Sequence, residues 1–220
     1  MNTACSFCEF ASTGELKDEL AACVRGLFFH GHVSSGGGNH SIRIPKTDRV
    51  LITPSGYPRS HLKAEDIVTI DLDGNVVEGT LKPTIEVPFH TEIYRSSSAG
   101  AVCHTHSPYI QALAISSVLH PTGTDGIFAI QTGEPLPKAL KNKLPVLEYR
   151  QLGSRTLASL VGQACYNFAQ EEDNRFGGAI VLLNHGVIGI GRCFHEAKFM
   201  VELLEEWAKC QLVASTLARK

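Results

Sequence analysis

The sequence predicts a three-layer α/β/α fold built on a mainly antiparallel central sheet. Three observations carry this. Short apolar runs of strand pattern follow one another with only tight turns between them, segments of helical period stand at both ends and in the middle, and no repeating strand–helix–strand unit of a doubly wound sheet occurs. Strands joined by short turns pair antiparallel, and helices spread along the chain can cover both faces of one sheet.

Taken in order, Thr13 and Glu15 open an amphipathic helix in which Leu16, Leu20, Val24 and Leu27 share a face; it is expected to end near Gly31. VSSGGGNHSIRIP is a glycine-rich loop that should become a strand at Ser41, where Ile42 and Ile44 alternate with polar residues. VLITPSG is a second short strand closed by Pro54 and Gly56, and IVTIDLDGNVVEG is a hairpin turning at Asp73-Gly74. KPTIEVPFHTEIYRSS starts extended and turns helical around Pro88, proline being tolerated in a first helical turn. AVCHTH is a strand running into a helix from about Pro108. IFAIQ and PVLEY read as short strands, SRTLASLVGQACYNFAQ as a helix, AIVLLNHGVIGIG as a strand pair about a tight turn, and HEAKFMVELLEEWAKCQLVASTLA as a long terminal helix. Residues 1–12 are expected to be a flexible leader and 13–220 a single domain.

A hydrophobic fraction of 43% in 220 residues supplies a sizeable core. The formal net charge of −2 gives no general attraction for nucleic acid or an anionic membrane, so the expected partner is a small molecule met by local groups. No apolar run reaches membrane-spanning length, and MNTACSFCEF lacks a basic stretch followed by an apolar core; the expectation is a soluble, unexported, cytoplasmic protein. Seven cysteines, an odd number in a chain that needs no staples, read as free thiols, with Cys5 and Cys8 part of the leader.

The chemistry concentrates in a few places. In the strand AVCHTH, His104 and His106 are two apart and project to one face, where both imidazoles can hold one metal ion. A bare polar stripe would set two imidazoles that repel once protonated in an apolar strand, and a metal removes that cost. A catalytic zinc takes three protein ligands and leaves one position open. His185 is the third candidate: it stands at the tip of two apolar strands, where Gly186 is expected to let the backbone turn; a solvated turn histidine is the alternative. Glu86 sits at the start of a helix, where its carboxylate either complements the helix dipole or, close to a metal, serves as general base; distance decides between them. His30, His32, His40, His61, His120 and His195 are assigned to surface or loop positions. His90, one helical turn after Glu86, is left open between surface and pocket. The segments Ser34–Asn39 and Thr53–Gly56 offer backbone amides and small polar side chains suited to an anion, yet neither matches a nucleotide-binding loop.

In order, GGGNHSIR, ITPSG, KPTIE, AVCHTHS and NHGVIGIG resemble the class II aldolase/adducin family, over about residues 14–215. The resemblance implies that family's α/β/α fold and a homotetramer with active sites between subunits. It implies Zn2+ on His104, His106 and His185, and a phosphate pocket from Gly38, Asn39, Ser55, Gly56 and Thr84. Glu86 matches the acid/base residue of the family's aldolases, where epimerases carry aspartate. The implied activity is a lyase cleaving a carbon–carbon bond of a small phosphorylated ketose through an enediolate. Decarboxylases of 3-oxo sugar-acid phosphates, pentulose-phosphate 4-epimerases, methylthioribulose-phosphate dehydratases and non-catalytic adducin-like scaffolds are the family's other outcomes. Two departures stand out. Thr84-Ile85 replaces the usual pair of hydroxyl residues, and no tyrosine occurs in SSVLHPTGTDGIFAI or QLVASTLARK, where the aldolases place the residues that protonate the leaving aldehyde.

Overall fold

The computed structural model describes residues 10–116, 119, 144–169 and 177–217. The expected strand IFAIQ, the loop HPTGTDGIFAIQTGEPLP with His120, and Cys5 and Cys8 lie outside the described residues, as does the leader up to residue 9.

Helix α1 (Thr13–Phe29) is closed at its start by a capping box: the Ser12 side chain accepts from the Glu15 amide, and the Glu15 carboxylate accepts from the Ser12 amide at 2.7 Å. Strands β1 (Asn39–Arg43), β2 (Arg49–Ile52), β3 (Val68–Asp71) and β4 (Val76–Glu78) form the expected meander. Strand β1 begins two residues before the expected Ser41, so Asn39 and His40 are ladder residues rather than loop. Helix α2 (Val87–Ser96) follows, then β5 (Ala101–Thr105), α3 (Pro108–Ile115), β6 (Val146–Leu147), α4 (Arg155–Ala169), β7 (Gly178–Leu182), β8 (Gly186–Gly191) and α5 (Phe194–Leu217).

All eight strands join one sheet in the order β4-β3-β2-β1-β5-β8-β7-β6, and every pairing is antiparallel except β6 with β7. Alternation along the strands splits the core between two faces. Ile42, Leu51, Cys103 and Val187 pack with Leu20, Val24, Met200 and Leu204 of α1 and α5, while Val50, Val102, Ile180 and Ile188 pack with Phe89, Ile93, Leu157 and Val161 of α2 and α4. The three-layer α/β/α expectation therefore holds. Among the described residues no helix is long and apolar enough to cross a membrane.

Register decides what meets at the middle of the sheet. Central strand β5 lies between β1 and β8, with His104 opposite Asn39 on one side and Ile188 on the other. The chain leaves β5 at Thr105 and enters α3, whose first amides, of Tyr109 and Ile110, donate to the buried carboxylate of Glu205 on α5 at 3.0 and 2.9 Å. That cap anchors the segment carrying His106.

Candidate metal centre and active site

His104 is fully buried at the end of β5 on the α2 face, with its ring edge against Phe89. Its Nδ1–H donates to the Val187 carbonyl at 3.1 Å, which fixes the tautomer and leaves the Nε2 lone pair facing inward. His106 lies one residue beyond the strand's end, half-buried, and reaches the same space from the loop. His185 arrives from the β7–β8 turn, and one ligand nitrogen from each of the three imidazoles lies within 4.8 Å of the others.

The turn differs from expectation in which residue bends it. Asn184, at φ 55°, takes the left-handed conformation, and Gly186 does not. Gly186 is required for space: a Cβ there would stand 2.3 Å from the Thr105 carbonyl oxygen and 2.8 Å from His104 Cε1. The missing side chain lets the turn close over His104 and His106.

Glu86 is the residue preceding α2, and its side chain does not cap the helix. It turns inward instead, buried, with Oε2 at 3.3 Å from His104 Nε2 and Oε1 at 3.3 Å from His185 Nε2. The distance thus favours the site over the dipole. Burial disfavours the charged form of the Glu86 carboxyl, and the Asn39 side-chain amide donating to Oε2 favours it. Burial, together with His104 and His185, pushes His106 down to about 4.

Whether these residues fit a metal is answered by what they leave unmet. Nε2 of His104, His106 and His185 and Oε1 of Glu86 are buried without a hydrogen-bond partner. Buried polar atoms are normally satisfied, and three converging imidazole nitrogens beside an ionised carboxylate are a donor set that a divalent cation completes.

Behind Glu86 lies a run of hydrogen bonds in which every donor points the same way. Asn39 Nδ2 donates to Glu86 Oε2 at 2.9 Å, and Asn39 Oδ1 accepts from His90 Nε2 at 2.6 Å. His90 is then protonated on Nε2, so its Nδ1 accepts from the Ser41 hydroxyl at 2.7 Å, which in turn accepts from Tyr94 at 2.7 Å. Burial and the nearby His104 push His90 down to about 3, which keeps it neutral. His90 therefore belongs to the pocket. His40 corrects the surface assignment: it is fully buried in β1, edge-on to Phe194, and burial with the Arg59 charge holds it well below the usual imidazole range. His30, His61 and His195 are exposed, and His32 is half-buried beside Ser107.

The anion-pocket candidates adjoin this site. Ser55 N donates to Lys82 O at 2.9 Å and Thr84 N to Thr53 O at 3.3 Å, while His40 N donates to Thr53 Oγ1 at 3.1 Å, drawing the three segments together. Ser55 and Gly56 are exposed; Gly38, Asn39 and Thr84 are buried. Thr84 Oγ1 accepts from the Glu86 amide at 3.2 Å.

A family model described as class II aldolase and adducin N-terminal domain matches residues 18–212. The chain belongs to the class II aldolase/adducin family. An L-fuculose phosphate aldolase of Methanocaldococcus jannaschii is 33% identical over 198 residues, covering 90% of this chain and 96% of the relative. A 3-oxo-tetronate 4-phosphate decarboxylase of Haemophilus influenzae is 32% identical over 88% of this chain and 85% of its own length. Among solved structures, an L-fuculose-1-phosphate aldolase from Thermus thermophilus superposes with a TM-score of 0.71 at 27% identity, covering 92% and 95% of the two chains. These relatives are enzymes of the class II aldolase family, and this protein is one too. Class II aldolases are generally metal-dependent, and the histidine cluster is where this chain can hold one.

Sequence reasoning missed two parts of the site. The Asn39–His90–Ser41–Tyr94 run depends on pairing β1 with α2 across some fifty residues, although His90 and Tyr94, four apart on one helix, were a readable stripe. Arg59, one of the most buried large side chains, was invisible because it follows a proline in a polar turn.

Proposed function

We propose that the protein is a zinc-dependent lyase that cleaves a carbon–carbon bond of a small phosphorylated ketose, an aldolase in type. The observation that carries this reading is the unmet set of His104, His106 and His185 nitrogens with the Glu86 carboxylate set against two of them. His104, His106 and His185 would hold one Zn2+ per subunit. Bound there, zinc would supply Lewis-acid polarisation of substrate oxygens, with a coordination position left open.

The chain's own residues account for orientation and proton movement. Asn39 holds Glu86 Oε2, so Oε1 is the oxygen that can deliver a proton to the enediolate carbon after cleavage and, in the reverse direction, take it from that carbon of the ketone. Gly38, Asn39, Ser55, Gly56 and Thr84 are the proposed phosphate contacts, supported by the meeting of their three segments beside Glu86. We further read residues 13–220 as one catalytic unit working as a cytoplasmic homotetramer, in keeping with the free thiols of Cys23, Cys103, Cys165 and Cys210 and with exposed Phe29 and Phe199.

A second reading, decarboxylation of a 3-oxo sugar-acid phosphate, is favoured by the Haemophilus relative and by the missing tyrosines, since loss of carbon dioxide needs no acid for a departing aldehyde. Purified, zinc-replete protein supplied with phosphorylated ketoses and 3-oxo sugar-acid phosphates separates the two: aldehyde release supports the aldolase, carbon dioxide the decarboxylase. Protein without bound metal, or with undiminished activity as His104→Ala, would sink both.

A further inference from the structure

Arg59 opens the short helical turn Arg59–His61, and its side chain is 1% exposed. Its Nε donates to the Gly37 carbonyl at 3.2 Å, one Nη to Pro54 O at 3.0 Å and the other to Gly38 O at 2.6 Å, while its backbone amide donates to Ser35 O at 2.8 Å. One guanidinium thus ties together the two loops that flank the anion pocket. Every acceptor is a neutral carbonyl. No carboxylate pairs with it among the described residues, and two of its five N–H groups, one on each Nη, have no acceptor there.

Burial without a counter-charge pushes Arg59 down to about 10, which still leaves it a cation at neutral pH. A buried, unbalanced charge is costly and is retained where something offsets it. In a trans peptide the carbonyl and the N–H point opposite ways. The Gly37 carbonyl taken by Arg59 therefore turns the Gly38 amide away from the guanidinium. Gly38 and Gly56, at φ 65° and 63°, both adopt the left-handed conformation found in anion-cradling backbone.

We propose that Arg59 is the charge of a substrate-phosphate subsite: it lies beneath the 34–38 and 53–56 loops, holds them by their carbonyls with the Gly38 amide turned away from it, and balances a phosphomonoester dianion bound above them. This rests on the reading that the substrate is phosphorylated. Arg59 is a positioning and specificity residue here, not one that touches the reacting atoms.

The test is calorimetric titration of zinc-replete full-length protein with inorganic phosphate, using wild type, Arg59→Lys and Arg59→Met, with folding checked by circular dichroism and zinc content by mass spectrometry. The expected result is saturable binding to wild type, binding within roughly threefold for the lysine variant, and a loss of at least roughly tenfold, equal to about 1.4 kcal/mol, for the methionine variant at unchanged zinc content. Wild-type affinity in a folded methionine variant overturns the proposal. So does an equal loss in both folded variants, since a cation would then not suffice. Should only the methionine variant fail to fold, the lysine variant decides by keeping or losing affinity; failure of both to fold even in saturating phosphate makes Arg59 a strut and overturns the proposal. Absence of phosphate binding to wild type is a different result. It removes the phosphorylated-substrate reading itself, before any variant is compared.

Discussion

The two oxygens of Glu86 have unlike surroundings, and the proposed proton transfer uses that asymmetry. Oε2 is held by Asn39 and Oε1 has no hydrogen-bond donor. Glu86→Gln keeps the shape and removes the proposed base; kcat should fall roughly 10²–10⁴-fold with metal content unchanged, and an unchanged kcat would exclude Glu86 from proton transfer. His90 gives a test by pH. Its folded value, about 3, lies below the ordinary 6.5 because burial disfavours the charged ring. The unfolded chain thus binds a proton that the folded chain refuses. Stability is fully present above 6.5 and falls with pH between 6.5 and 3, by about 1.4 kcal/mol per unit from this group. His90→Gln should flatten the acid limb of stability against pH, measured by urea unfolding; an identical slope would refute the assignment. At this scale the sequence was legible where one local period carried the signal, as with His104 and His106. It was silent on His40, whose burial comes from a sheet position that a glycine-rich loop disguised.

Elements bring their residues to the site by ending in the right places. β5 stops at Thr105, α2 starts just after Glu86, and β7 and β8 are joined so tightly that Leu182 pairs with Gly186. The closeness of that last turn to β5 is a steric fact, so Gly186→Ala is a sharp probe. Its new Cβ would meet backbone at 2.3 Å, and the turn carrying His185 must retreat. The expected cost is about 1–3 kcal/mol of stability with a fall in metal affinity. A variant with wild-type stability and metal binding would mean that the turn has slack. Helix positions and hairpins were readable in advance because apolar period and turn residues are local. The parallel pairing of the two-residue strand β6 with β7 was not, since it joins residues over thirty positions apart and leaves no periodic trace.

Across the whole molecule, the donor set joins three segments far apart in the chain: the start of α2, the end of β5, and the β7–β8 turn. Both the layer architecture and the family were legible, because ordered short motifs survive where substrate loops vary. What holds those segments together without an ion was not legible, since it depends on atoms left unmet rather than on residue types. Nε2 of each of the three histidines and Oε1 of Glu86 are buried without a hydrogen-bond partner, and a divalent cation held by the histidines would tie the three segments together. A ligand that binds only the folded state adds stability by mass action, about 4 kcal/mol at a thousandfold excess over its dissociation constant. For a domain of this size that corresponds to a shift of roughly 8–16 °C in Tm. Chelation should therefore lower Tm by about that amount and zinc should restore it. His104→Ala should melt at the lower temperature and ignore both treatments. A wild-type protein whose Tm is indifferent to complete metal removal would show that the three histidines are a packed polar cluster, with the ion no part of what joins α2, β5 and the β7–β8 turn.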